Sequence, residues 1–303
     1  MRMTTGPFTT LGIAIDSVGF GTGAARGTER SPAALRDAGL ARLGWADGGD
    51  LDVRITEATR DPATGLVGSA EVLAATTRIR EEVRDRVTGG ERPFLLGGCC
   101  TLLPGALAGV RDAIGPLGLV YVDGHLDLYD GQTSPTGEAA DMPIAVLLGS
   151  GPQAWNERVA PLPVVQPRSV ALLGHRGPEE RIDLDQALED LRAQGLLAVD
   201  VQEIVRDGAD GVARAAAAHV AGDGLPLWFH VDLDVLDETV FPATDYLMPG
   251  GLDWPALVGL LRPMAAMDSL VGWSLSCYNP DKDPDGTSGR ALIDALAAVF
   301  HDA

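Results

Sequence analysis

Seven short apolar runs are spaced along the chain at Leu11–Ile15, Phe94–Leu96, Leu117–Val122, Val170–Leu173, Leu197–Val201, Leu227–Val231 and Leu270–Leu275. They are apolar at consecutive positions and do not alternate with polar residues, the pattern of strands covered on both faces. Between several of them lie stretches with helical spacing of apolar residues: Glu71–Val87, Asp185–Leu191, Val212–Val220, Asp253–Leu261 and Arg290–Phe300. Ser31-Pro32 reads as an N-cap and first-turn proline for a helix running to about Leu43. Strand and helix in alternation predict an α/β fold with a mainly parallel sheet and helices on both sides. The chain has 303 residues, 46% of them apolar, which suits one domain over residues 1–303.

The same composition narrows the function. A formal charge of −20 argues against a nucleic-acid or anionic-membrane partner, since both require a basic face. No apolar run approaches the roughly 18 residues that span a bilayer. The N-terminus lacks a signal-peptide pattern, so the expected location is the cytoplasm. Three cysteines, Cys99, Cys100 and Cys277, make no disulfide framework and are expected to be reduced. The expected partner is a small-molecule substrate.

In a parallel α/β sheet, ligands bind at the carboxyl ends of the strands. The polar segments that follow the apolar runs are therefore the candidate site. They read Gly97-Gly98-Cys99-Cys100-Thr101, Asp123-Gly-His125-Leu-Asp127, Gly174-His175-Arg176-Gly177, His230-Val-Asp232-Leu-Asp234 with Asp237, and Cys277-Tyr278-Asn279. Asp123, His125 and Asp127 cannot converge on one small site in an extended chain, because four residues span about 13 Å. The chain is expected to curl there, with Gly124 easing the bend. Four carboxylates at two neighbouring strand ends repel one another unless divalent cations turn the charges into ligands. A mixed oxygen and imidazole donor set suits Mn(II), with zinc, iron, cobalt or nickel as alternatives.

These segments resemble the ureohydrolase superfamily, the arginase and agmatinase group. That family carries Gly-Gly-Asp-His, Asp-Ala-His-x-Asp and Ser-x-Asp-x-Asp-x-x-Asp-Pro segments, the last running on to Pro-Gly-Gly. Here the second is Asp123-Gly-His125-Leu-Asp127. The third is His230-Val-Asp232-Leu-Asp234-Val-Leu-Asp237, followed by Pro249-Gly250-Gly251. Arg26-Gly27 through Pro32 and Leu35-Arg36 is similar to the family's opening, and Gly137 through Met142-Pro143 to its Gly-Met-Pro turn. The resemblance implies a three-layer α/β/α fold, a trimer or hexamer, and two Mn(II) ions. It implies that Asp123 and Asp232 bridge the ions, that Asp127 and Cys100 hold the first, and that His125 and Asp234 hold the second. The family reaction is hydrolysis of a guanidino or similar amidino C–N bond by metal-activated water, with Asp127 taking part in proton transfer.

Departures from the pattern bear on substrate and metal. Cys99 and Cys100 stand where the family has aspartate and histidine, and a thiolate at Cys100 favours a softer ion than Mn(II). Cys277 replaces the acidic residue that faces the guanidinium, which argues for a less cationic substrate such as a hydroxyguanidine or acylated guanidine. Ala140 corresponds to the proton-shuttling histidine of arginase, leaving Glu138 or Asp141 to act on the proton or the substrate amine. Thr136 and His175 are expected to line the pocket with Cys277, and Glu179 lies near the place of an acid for the substrate amine. His230 replaces a serine; a histidine at the end of a sheet strand is more often a satisfied structural residue, and its alternatives are a hydrogen-bond partner behind a ligand or a substitute ligand. Two other readings compete: a catalytically idle relative with a binding or assembly role, and a metal-dependent amide hydrolase or deacetylase.

Overall fold

The structure is a computed structural model that describes residues 7–18, 26–176, 178–222 and 224–300, without the side chains of 178–183. Eight strands form its sheet: β1 (Phe8–Ile13), β2 (Ala46–Leu51), β3 (Arg92–Gly97), β4 (Gly118–Val122), β5 (Val170–Leu173), β6 (Leu197–Val199), β7 (Leu227–Asp232) and β8 (Leu270–Ser276). Their order is β2-β1-β3-β8-β7-β4-β5-β6. Every neighbouring pair is parallel.

The helices are α1 (Ser31–Asp37), α2 (Ser69–Thr88), α3 (Leu103–Ile114), α4 (Pro143–Leu148), α5 (Gln153–Val159), α6 (Pro178–Ala193), α7 (Val201–Asp207), α8 (Ala209–Val220), α9 (Trp254–Ala265) and α10 (Thr287–Phe300). Side-chain alternation along each strand sends residues to two separate cores. In β4, Leu119 and Tyr121 join the core under α2 to α6. Val120 and Val122 join the one under α1 and α7 to α10. The result is the expected three-layer α/β/α arrangement.

Each of the seven apolar runs overlaps a strand of the sheet, Val170–Leu173 matching β5 at both ends and the other ends differing by at most three residues. The sequence reading passed over β2, whose Ala-Asp-Gly-Gly-Asp-Leu carries almost no apolar signal because it is a largely exposed edge strand. It also passed over α3, α4, α5 and α7. Helix α3 is nearly all small or apolar, so it shows no polar face. A Cβ on Gly105 would stand 2.7 Å from the Thr76 carbonyl oxygen, so glycine there lets α3 lie close against α2. The Ser31–Leu43 expectation needs correction in two places. Ser31 lies inside α1, because the 3-10 turn Thr28–Arg30 leads straight into it. The helix stops at Asp37, and Gly39 at φ 108 separates it from a second 3-10 turn, Leu40–Leu43.

Strands β3, β8, β7 and β4 are adjacent at the centre of the sheet. Strands β7 and β8, late in the chain, are inserted between β3 and β4. That insertion gathers four sequence-distant strand ends along one edge.

Candidate metal centre

Each of those four ends contributes. The turn after β3 carries Cys100, the loop after β4 carries Asp123, His125 and Asp127, the end of β7 carries Asp232 and Asp234, and Cys277 follows β8. All except His125 are buried. Together they floor a cavity of about 430 Å³ whose walls include Tyr129, Thr136, Ala140, Asp141, Tyr246 and Met248.

The curl after β4 is present, but it turns at Asp127 and not at Gly124. Asp127 takes φ 51, a left-handed conformation uncommon outside glycine. Its carbonyl accepts from the free N–H groups at the start of α4, Ile144 at 3.1 Å and Ala145 at 3.2 Å, which holds the turn. Gly124 serves close approach. A Cβ there would stand 2.6 Å from the Arg176 guanidinium and 2.9 Å from Asp234 Oδ1.

Two donor clusters result, each with its ligand atoms within 4.8 Å of one another: Cys100, Asp123, His230 and Asp232, and Asp123, His125 and Asp234. Asp123 belongs to both. His125 Nδ1 lies 3.1 Å from Asp234 Oδ2 and 3.5 Å from Asp123 Oδ1. Cys100 Sγ lies 2.6 Å from Asp232 Oδ2 and 3.9 Å from Asp123 Oδ2. This arrangement of carboxylates, two imidazoles and a thiol fits a pair of divalent transition ions.

The electrostatics point the same way. Burial, with Asp234 and Asp232 beside it, holds the Asp123 carboxyl well above its ordinary range. Burial and the Asp234 charge lift Asp232 to about 6. Asp234 stays below the ordinary range: burial opposes its charge, and His125, Arg176 and the Gly124 N–H together outweigh burial. Burial pushes the Cys100 thiol well above its usual value. The raised Asp123 and Asp232 carboxyls and the Cys100 thiol favour their protonated forms, and a bound cation would displace those protons.

Asp127 lines the cavity but lies outside both clusters, and the Tyr121 hydroxyl donates to its Oδ2. Sequence reading did not single out Tyr121, because inside a buried strand a tyrosine reads as core. His230 takes a place in the first cluster, yet its ring is held by serines, with Nδ1 2.7 Å from Ser274 Oγ and Nε2 3.2 Å from Ser276 Oγ. Ser276 also donates to Asp232 Oδ2 at 2.9 Å. Strand alternation in β8 was the one available signal for Ser274 and Ser276, since both face away from Trp273 and Leu275.

The remaining expectations divide. Asp141 and Thr136 line the cavity together, and Asp141 accepts from the hydroxyls of Ser134 and Thr136 at 2.7 and 2.5 Å. Glu138 is fully buried and is not among the wall residues. It reaches the cavity through Tyr246, whose hydroxyl donates to Oε2 at 2.5 Å. His175 is buried and likewise stands outside the cavity wall. The ground between β5 and the site is filled by Arg176, whose guanidinium donates to the carbonyls of Asp234, Val235, Leu236 and Met248. The Glu179 side chain lies outside the described residues. Cys99 points away from the site toward Ser17 and Thr101. Asp237 caps the turn at Thr239 and Gly250.

Compared with known proteins, the chain matches the arginase family over residues 7–301. It belongs to that family. Arginase-family membership places it, at that level, among metal-dependent hydrolases, with Cys100 in the ligand cluster where a histidine is usual. The arginase of Brevibacillus brevis is 29% identical over 284 residues, covering 91% of this chain and 93% of that protein. The native arginase structure from Bacillus caldovelox superposes with a TM-score of 0.85 at 24% identity, covering 97% of this chain and 98% of the other. Proclavaminate amidino hydrolase from Streptomyces clavuligerus gives 0.71 at 22%, covering 99% and 91%. These structural likenesses establish the fold. Among the described residues, no helix of this arginase-family protein is long and apolar enough to cross a membrane.

Proposed function

We propose that this single-domain arginase-family protein is a binuclear-metal hydrolase of linear amidines, cleaving the C–N bond of a hydroxyguanidino, acylguanidino or other guanidino compound. The observation that carries the reading is the pair of donor clusters sharing Asp123 on the floor of the cavity. In this reading Asp123 and Asp232 would be shared between two divalent ions, Mn(II) suiting the oxygen-rich seat. Cys100 and Asp127 serve one ion, and His125 and Asp234 the other. Bound there, the ions would acidify water and so supply the nucleophile at neutral pH.

The protein's own groups do the rest. Asp127, oriented by the Tyr121 hydroxyl, accepts a proton from the attacking water and passes it to the departing amine. Asp141, with Thr136 beside it, meets the amine end of the substrate from the wall opposite. Glu138 acts through Tyr246, which it orients over the cavity mouth. No carboxylate occupies position 277, so a full guanidinium has no charge partner there, which favours a substrate of lower basicity. Reduced thiols support a cytoplasmic location, and the family supports a trimer or hexamer as the working assembly.

Metal analysis with a hydrolysis panel tests the reading. We expect two equivalents of metal per chain and release of urea, hydroxyurea or acylurea faster from hydroxyguanidino or acylguanidino substrates than from arginine. A fully metallated protein that hydrolyses none of these would refute it. One that binds no metal would instead fit the idle relative.

A further inference from the structure

Strand β8 lies between β3 and β7, so the first residue beyond it meets side chains from both neighbours. Cys277 is that residue. Its N–H donates to the Gly98 carbonyl at 2.7 Å, which pins the end of β8 to the turn carrying Cys100. Cys277 adopts φ 64, a left-handed conformation in which non-glycine residues are uncommon. Both sulfurs are buried, and both residues line the cavity.

In this geometry the Cys100 and Cys277 Sγ atoms are 3.9 Å apart. A disulfide requires about 2.05 Å, far closer than this pair stands. Two thiolates on one tetrahedral zinc-class ion, each about 2.3 Å from it, are separated by about 3.8 Å. A thiolate and a carboxylate oxygen on such an ion are about 3.6 Å apart by the same geometry. Asp123 Oδ2, 3.9 Å from the Cys100 sulfur, stands near that separation; Asp232 Oδ2, at 2.6 Å, is in direct hydrogen-bond contact with the thiol and would move apart by about 1 Å as an ion replaced the thiol proton.

We propose that Cys277 is a metal ligand, and that Cys100, Cys277, Asp232 and Asp123 form a two-thiolate seat for a thiophilic divalent ion of the zinc class. The proposal deepens the metal reading above and rests on it. It makes the two seats chemically unequal. The pole built from Asp123, His125 and Asp234 offers oxygen and imidazole, which Mn(II) accepts. The other pole offers two soft donors and two carboxylates, which favour zinc or cobalt over manganese. Binding removes the proton from each thiol to solvent, and the two thiolate charges then neutralise the dication. On this account Cys277 is withdrawn from the substrate wall, where its position had placed it, and takes the place of Asp127 on this ion, leaving Asp127, which lies outside both donor clusters, its role in proton transfer.

The experiment uses the full chain, stripped of metal and reloaded with Co(II) or Zn(II) alone. Thiolate-to-cobalt charge-transfer absorption counts the sulfur ligands, and competition with a chromophoric chelator gives zinc affinity. We expect the wild type to show two-thiolate intensity, and Cys277→Ser and Cys100→Ser each to show about half of it. Zinc affinity should fall roughly 100-fold or more in either variant. Manganese affinity of the oxygen-rich seat should change much less in Cys277→Ser.

Alkylation of the wild-type chain supplies a readout that needs no variant. Zinc should protect Cys100 and Cys277 together. Protection of Cys100 alone, or full cobalt absorption and zinc affinity in Cys277→Ser, would overturn the second thiolate while leaving the metal site standing. A wild type that binds neither zinc, cobalt nor manganese would overturn the proposal and the metal reading together.

Discussion

The Nε2 atom of His230 stands 3.2 Å from the hydroxyl of Ser276, and that contact fixes which way a buried chain of hydrogen bonds runs. Trp228 Nε1–H can only donate, and it donates to Ser274 Oγ at 2.9 Å. At the other end Ser276 gives its one proton to Asp232, so the imidazole proton is assigned to Nε2 and Nδ1 accepts from Ser274. Nε2–H donates to Ser276, and Ser276 donates to Asp232. Burial holds the His230 pKa down to about 3, so the ring is neutral and the direction is stable at working pH. Stacking on Tyr121, with ring centroids 4.8 Å apart, keeps the imidazole in place.

This chain orients a carboxylate proposed to bridge the metals. Ser276→Ala should weaken metal binding by roughly 10–100-fold while leaving the fold intact, the usual effect of losing a partner behind a ligand. Calorimetric titration with Zn(II) or Mn(II), alongside circular dichroism, measures it. Wild-type affinity in Ser276→Ala would show that Asp232 needs no such support.

Tyr121→Phe removes the donor to Asp127 and little else. A hydrogen bond to a charged group is worth about 1.5–3 kcal/mol, so kcat should fall by roughly 10–100-fold. KM should hold, because Tyr121 does not line the cavity, and kcat is measured with metal at saturation so that any loss of metal affinity through Asp127 is read separately. A change confined to KM would place Tyr121 in binding instead.

Alanine at Asp123 or Asp232 should abolish binding of the metal pair, since both are proposed to touch both ions. Elemental analysis of the purified variants is sufficient. Two equivalents retained in either variant would refute the bridging roles.

The buried carboxyls give a pH signature in chelated protein. Asp232 is lifted from the ordinary 3.8 to about 6, so the folded chain holds a proton there that the unfolded chain has lost. That contribution is fully present below 3.8 and disappears as pH rises toward about 6. The difference in Tm between chelated wild type and Asp232→Asn should therefore shift against the wild type as pH climbs through this window. Metal affinity should show the complementary trend, weakening as pH falls through about 6. A pH-independent difference would show that Asp232 is not protonated in the folded protein.

Cys100→His should raise Mn(II) affinity by exchanging a soft donor for the imidazole that manganese accepts. Unchanged affinity on titration would exclude Cys100 as a ligand.

Asp123, His125, Asp127, Asp232 and Asp234 could be picked out from the sequence because each follows a continuous apolar run, and burial on both faces of a sheet demands such runs. The layered α/β/α fold was legible for the same reason. Strand β2 was not, because an exposed edge strand is held by its neighbour's backbone and leaves no side-chain signature. Nor does local pattern say that β8 comes to lie between β3 and β7. Only that placement sets the Cys277 sulfur 3.9 Å from Cys100 and puts Ser276 behind Asp232. Donor chemistry is a property of residue type and survives in a linear string. Which donors share an ion depends on contacts such as Cys100 with Asp232, 132 positions apart, and with Cys277, 177 apart, and only the packed sheet specifies those.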